Sequence, residues 1–142
     1  MIKRWLGIDL GEARIGLALS DQLGAMAHPY KTMPASPRLA DQIAELARQE
    51  DLGGIVLGLP KNMDGTLGPA AAKAKAFADQ LRVRLPDLRL VLWDERLTTV
   101  EAQRMLHAAG RNVKQSRRVI DQVAAQILLQ NYLDAQSLAG GI

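Results

Sequence analysis

WLGIDLGEARIGLALSD, residues 5–21, is the stretch on which the fold turns. Its two halves, WLGIDL and RIGLALSD, are short and apolar, and only Gly11, Glu12 and Ala13 separate them, which is the pattern of two strands joined in a hairpin. A third extended stretch, from about Ala27 to Met33, leads to Pro34 and Pro37, and these punctuate a loop. Helical spacing then begins: Leu39, Ile43, Leu46 and Ala47 recur at three- and four-residue steps, so residues from about 38 to 50 read as an amphipathic helix that Gly53 and Gly54 end. The run IVLGLP, residues 55–60, is apolar on both faces, as a buried central strand is, and Pro60 stops it where the loop KNMDGT opens. From Pro69, suited to a first helical turn, Ala70, Ala74, Phe77, Ala78, Leu81 and Leu85 form a stripe that reaches Pro86. LRLVLWDE, residues 88–95, alternates as a strand and delivers Asp94 and Glu95 at its C-terminal end. Thr98 and Glu101 form a capping box for a helix running to Gly110. A last helix starts near Ser116, with Val119, Ile120, Val123, Ala124, Ile127 and Leu128 as its apolar stripe and residues 137–142 as a frayed tail.

The expected order is therefore β-β-β-α-β-α-β-α-α. This is an α/β domain with a mixed five-stranded sheet flanked by helices, in which the strands joined through helices are parallel. At 142 residues and 48% hydrophobic content the chain reads as one domain, 1–142, with no repeat or low-complexity linker. It has no cysteine, which excludes disulfides, thiolate zinc sites and cysteine nucleophiles. No apolar run approaches the length of a membrane span and the N-terminus lacks a signal-peptide core, so a soluble, cytoplasmic protein without a membrane partner is expected. Net charge is +3. The basic residues cluster, however: between Glu101 and Asp121 no acidic residue occurs, while Arg104, Arg111, Lys114, Arg117 and Arg118 fall there with His107. That segment is either a phosphate-contacting surface or a solvated helical face.

Three carboxylates carry the chemistry. Asp9 lies next to last in a strand of Trp, Leu, Ile and Gly, where burying an unpaired charge is costly; it either caps the following turn or belongs to a site. Glu95 ends the other strongly apolar strand, and the C-terminal ends of parallel strands share one edge of a sheet, so the two acids can face each other. Asp121, at about 100° per residue, falls on the flank of the last helix's stripe, roughly 80° from its centre, and points at the sheet; alone it could equally pair with Arg117 or Arg118. Hard oxygen donors from separate elements, with only His28 and His107 as imidazoles, suit Mg²⁺ or Mn²⁺ better than zinc. Two such ions can activate a water and stabilise the leaving oxygen of a phosphodiester. Asp94 precedes Glu95 and by alternation points to the opposite face. Arg14 binds a phosphate or pairs with Glu12. Lys61, Asn62 and Asp64 contact nucleic acid or form a plain turn with Gly65.

GIDLGEARIGLALSD (7–21), GLPKNMDGT (58–66), DERLTTVEA (94–102) and RRVIDQVAAQILLQNYL (117–133) resemble the four motifs of the YqgF family, also called the pre-16S rRNA nuclease or Holliday junction resolvase family, in order and spacing across nearly the whole chain. The resemblance implies a ribonuclease H-like fold related to the RuvC resolvases and divalent-metal nuclease chemistry, with Mg²⁺ or Mn²⁺ as cofactor. Carried over residue by residue, the family's acidic positions fall on Asp9, Glu95 and Asp121 as catalytic and metal-ligating residues. Arg14, Lys61, Asn62, Arg111, Lys114, Arg117 and Arg118 remain the candidate nucleic-acid contacts. The implied substrate is the 5′ end of the 16S ribosomal RNA precursor, with ribosomal particles as a further partner, or else branched DNA. Junction resolution needs two cuts and so a symmetric dimer; the sequence leaves monomer and homodimer open. Two rivals come from other classes. GIDLG also resembles the phosphate hairpin of actin-like ATPases, but those hold ATP between two domains and this chain has room for one. A nucleic-acid-binding module without catalysis is the other, against which the three intact acids speak.

Overall fold

The computed structural model describes residues 3–62, 64–95 and 117–140, with the side chains of 117–119 and 138–140 excepted. In chain order the elements are β1 (Trp5–Leu10), β2 (Arg14–Ser20), β3 (Ala27–Pro34), α1 (Leu39–Gln49), β4 (Gly54–Leu59), α2 (Pro69–Arg84), β5 (Arg89–Asp94) and α3 (Arg117–Gly140). The helix expected over Thr98 to Gly110, together with Arg104, His107, Arg111 and Lys114, lies outside the described residues.

The strands form one sheet in the order β3-β2-β1-β4-β5. The first three pair antiparallel, whereas β1 with β4 and β4 with β5 are parallel, as the hairpin and the helical crossovers dictate. Both Pro29 and Pro34 fall within β3, a position open to proline because β3 is an edge strand that needs fewer ladder donors.

Strand alternation divides the core in two. Leu6, Ile8, Ile15, Leu17, Ile55 and Leu57 face α1 and α2, where they meet Ile43, Phe77 and Leu81. Ala18 and Val56 face α3, where they meet Ala125, Leu128, Leu129 and Tyr132. Each fully buried Leu or Ile contributes about 1.5–3 kcal/mol. At the far end of the α3 layer the Tyr132 ring packs on Trp5 and Trp93, with centroids 5.0 and 5.5 Å away.

Three local expectations are corrected. The α2 stripe starts at Ala71, which is buried, while Ala70 is exposed. α3 continues through residues 137–140, where the sequence suggests a frayed tail. Its inward face is shifted from the one expected: Ile127 and Leu128 are buried as expected, but Ala125, Leu129, Tyr132 and Leu133 are buried with them, whereas Ile120, Val123 and Ala124 are only half-buried. A row of glutamines explains the shift. Gln126 Nε2 donates to Ala27 O at 3.1 Å and Gln130 Oε1 accepts from Ala27 N at 2.8 Å, while Gln122 Nε2 donates to Thr32 Oγ1 at 3.2 Å. Spaced four apart, these side chains lie along one flank of α3, clasp edge strand β3 and fix the rotation of the helix. Among the described residues no helix is long and apolar enough to cross a membrane.

Candidate active site

β1, β4 and β5 end on the same edge of the sheet, and alternation decides which side chains of that edge face α3. Gly7 and Asp9 alternate with Leu6 and Ile8, which face α1 and α2; Asp9 therefore lies on the α3 side. Glu95 lies two residues beyond Trp93, which packs in the α3 layer, and so joins the same side. With the rotation found for α3, Asp121 sits in line with Ala125, Leu128 and Tyr132, within the inward face. All three expected acids thus meet on one face of one edge.

The Glu95 and Asp9 carboxyls lie within hydrogen-bonding reach of each other. Burial pushes the Glu95 carboxyl up from 4.5 to about 7, and the Asp9 charge, the hydrogen bond to Asp9 and the Asp94 charge add to the rise. Asp9 is raised too, by burial first; the Glu95 hydrogen bond opposes that rise and the Asp121 charge adds to it.

Asp121 accepts a hydrogen bond from Arg14 Nε at 2.9 Å, in an ion pair that leaves both side chains partly exposed. Arg14 is therefore an ion-pair partner of Asp121; the side chains of Arg117 and Arg118 lie outside the described residues. Arg14 stands two residues before Gly16, which pairs with Asp9 across the β1–β2 ladder. A Cβ at Gly16 would overlap the carbonyl oxygen of Asp121, so the glycine is what lets the first turns of α3 lie on the sheet beside Asp9.

The donor set fits a hard divalent cation. It is all oxygen, and burial together with repulsion from neighbouring carboxylates raises both Asp9 and Glu95, so positive charge is favoured between them. Among the described residues no group of three donors is closed into a cage, since the Asp121 carboxylate is turned to Arg14 and the pre-assembled unit is the Asp9–Glu95 pair.

The remaining expected residues divide by face and loop. Asp94 alternates with Leu90 and Leu92 away from the α3 side and pairs with Lys61, Nζ to Oδ2 3.8 Å. Asn62 closes its own loop: its backbone N–H donates to Thr66 O and its Nδ2 to Thr66 Oγ1, both at 2.9 Å, while Asp64 Oδ1 accepts from the Thr66 N–H and hydroxyl. Gly65, at φ 88°, allows this turn. Arg117 and Arg118 occupy the first turn of α3, one turn before Asp121.

A family model described as RuvX, Holliday junction resolvase, matches residues 3–135. The chain belongs to the RuvX family. Membership makes it a hydrolase of the nuclease class, acting on nucleic acid. A relative from Halalkalibacterium halodurans, named "Putative pre-16S rRNA nuclease", is 45% identical over 139 residues, covering 95% of this chain and 99% of its own. A second of the same name, from Kineococcus radiotolerans, is 46% identical over 134 residues, 92% of this chain and 71% of its own. Among solved structures, Thermus thermophilus RuvC in complex with a Holliday junction superposes with a TM-score of 0.62 at 12% identity, covering 95% of this chain and 97% of that one. The fold of this RuvX-family chain is thus the ribonuclease H-like one that the sequence motifs imply.

Sequence reasoning missed two glycines that lie against the candidate acids, Gly16 against Asp121 and Gly58 against Glu95. Their signal was a glycine inside an otherwise apolar strand, which marks close approach of a neighbour.

Proposed function

We propose that the chain hydrolyses phosphodiester bonds with Asp9, Glu95 and Asp121 as catalytic acids, and that its substrate is the 5′ end of the 16S ribosomal RNA precursor. The observation that carries this reading is the convergence of the Asp9 and Glu95 carboxyls beside Asp121 at the C-terminal edge of the parallel strands, in a chain of a nuclease family. Asp9 and Glu95 would hold Mg²⁺ or Mn²⁺, with Asp121 completing the set. When bound, the cation supplies Lewis acidity, stabilising charge on the phosphate and acidifying a water. The chain's own residues set the conditions. Glu95, whose carboxyl is raised to about 7, would lose its proton on binding the cation, and partial burial on the α3 side strengthens the electrostatic pull of both carboxylates. Arg14 balances the Asp121 charge and orients that carboxylate.

The names of the relatives at 45% and 46% identity support the ribosomal substrate. It would be met in the cytoplasm, on ribosomal particles or as free precursor. Arg111, Lys114, Arg117 and Arg118, with Lys61 and Asn62, would track phosphates on either side of the cut, giving affinity without base reading. Residues 1–142 act in this reading as one nuclease domain. The family's description as a Holliday junction resolvase favours branched DNA as the second reading. The deciding experiment offers purified protein, with Mg²⁺ or Mn²⁺, a panel of precursor RNA and four-way junction DNA, alongside a molar-mass measurement. Cleavage of the precursor alone at its 5′ end supports the first reading. Paired cuts in the junction by a dimer replace it with the second, and no cleavage of either by parent protein refutes the nuclease reading.

A further inference from the structure

β4, GIVLGL, is buried at every position, and it carries branched apolar side chains except at its two glycines. Gly54 leaves room for the Trp5 indole. At Gly58 the atoms nearest to an added Cβ are not those of an aromatic ring. Its backbone does not require glycine either, because among the described residues the glycines with positive φ are Gly24 and Gly65, and an interior glycine costs a strand about 0.5–1 kcal/mol relative to alanine. What occupies the space is Glu95. A Cβ built on Gly58 would overlap Glu95 Oε1, and its next nearest atoms are Glu95 Cδ at 3.1 Å and Cγ at 3.3 Å. Gly58 pairs with Trp93 in the β4–β5 ladder and follows Leu57, the partner of Ile8, so it lies between the end of β5 and Asp9.

We propose that Gly58 is a positioning residue of the catalytic site: its missing side chain is the recess in which Glu95 folds back across β4 to reach Asp9. The inference rests on the metal-ligand reading of Glu95 given above. Three features distinguish this recess from ordinary close packing. The three nearest atoms all belong to the Glu95 side chain, whereas a Cβ on Gly16 meets the Asp121 backbone and one on Gly7 meets Leu129 Cβ and the Ala125 carbonyl. A methyl at Gly58 is therefore accommodated by rotating one flexible side chain, with no backbone forced to move. That rotation carries the Glu95 carboxyl away from Asp9, so the cost falls on the site and not on the fold. Finally, Val56, two residues earlier on the same side of β4, is fully buried under α3, which shows that the layer accepts a branched side chain where no carboxylate must pass.

The test compares Gly58→Ala, Glu95→Ala and the double variant with the parent, reading Mn²⁺ affinity by electron paramagnetic resonance, melting temperature without metal, and kcat and KM on the cleaved nucleic acid. Gly58→Ala is expected to melt within a few degrees of the parent, to bind Mn²⁺ about ten- to a hundredfold more weakly, and to lose kcat with KM unchanged. In the Glu95→Ala background the same glycine substitution is expected to change Mn²⁺ affinity no further, because the group it displaces is gone. Equal loss of affinity in both backgrounds, or a fall in melting temperature as large as that of Gly16→Ala, would assign Gly58 to packing and overturn the inference. Parent-like Mn²⁺ binding by Gly58→Ala beside weakened binding by Glu95→Ala overturns it alone. Parent-like binding by Glu95→Ala overturns the metal role of Glu95 and this inference with it.

Discussion

Replacing Glu95 by glutamine should change how stability depends on pH, and the structure gives both sign and size. In the metal-free native state the Glu95 carboxyl titrates at about 7 against an ordinary 4.5, chiefly because burial and the Asp9 charge disfavour its ionised form. Between those values the native state holds a proton that the unfolded chain has lost, so stability is greatest below pH 4.5 and falls as pH rises towards 7. At about 1.4 kcal/mol per pH unit the interval is worth at most about 3 kcal/mol. Glu95 is only half-buried, and solvent screening reduces this to about 1–2 kcal/mol. For a chain of this length that is about 3–6 °C in melting temperature. Asp9, raised as well, adds a fall of the same sign starting from its ordinary 3.8. Glu95→Gln keeps the length and a hydrogen-bond donor to Asp9 but cannot ionise, so its melting temperature should stay nearly level from pH 5 to 7.5 and exceed the parent's at the upper end. Thermal melts with a chelator present, followed by circular dichroism across that range, read the difference. Parallel parent and variant curves would refute the carboxyl coupling.

Asp9→Asn should lower cleavage by more than about a hundredfold while leaving the melting temperature near the parent's, since it removes a charged donor at constant volume; parent-like turnover at saturating metal would remove Asp9 from the site. Changing Arg117 and Arg118 together to glutamate should weaken nucleic-acid binding and flatten its log–log salt dependence by about 0.7 to 0.9 for each phosphate no longer neutralised. An unchanged slope would make them solvated surface charges. Gly16→Ala, whose methyl meets the Asp121 carbonyl, should destabilise by about 1–3 kcal/mol through overpacking, read as a lower denaturant midpoint at constant slope; a parent-like midpoint would show that α3 can lift off the sheet without loss.

The strands and the first two helices were legible because their physics is local. A two-residue alternation or a three-to-four-residue step is set by which face each side chain presents, and Leu6 with Ile8, or Ile43 with Leu46, states that face within a few residues. The rotation of α3 was not local. Apolar side chains stand on more than one side of that helix, so Ile120, Val123 and Ala124 made as plausible a part of the stripe as Ala125, Leu129 and Tyr132. What chose between them was Gln122, Gln126 and Gln130, polar residues whose partners belong to a strand about a hundred positions away. A rotation set by such distant hydrogen bonds has no signature in the helix's own hydropathy.

The same distinction governs the site. Asp9, Glu95 and Asp121 could be named from sequence because acids at the ends of apolar segments are costly there and demand a compensating group. Their compensators could not. Arg14 was visible as a cation, but Glu12, two residues away, was the natural partner in one dimension, and only the packing of α3 across β2 brings Asp121 to it at 2.9 Å. Glu95's partner is another acid. The two glycines are harder still. An empty position has meaning only relative to what fills it, and the occupants of Gly16 and Gly58 lie 105 and 37 residues further along the chain, at Asp121 and Glu95. A sequence names its donors by residue type, whereas the distances between them are set by side chains that are not there.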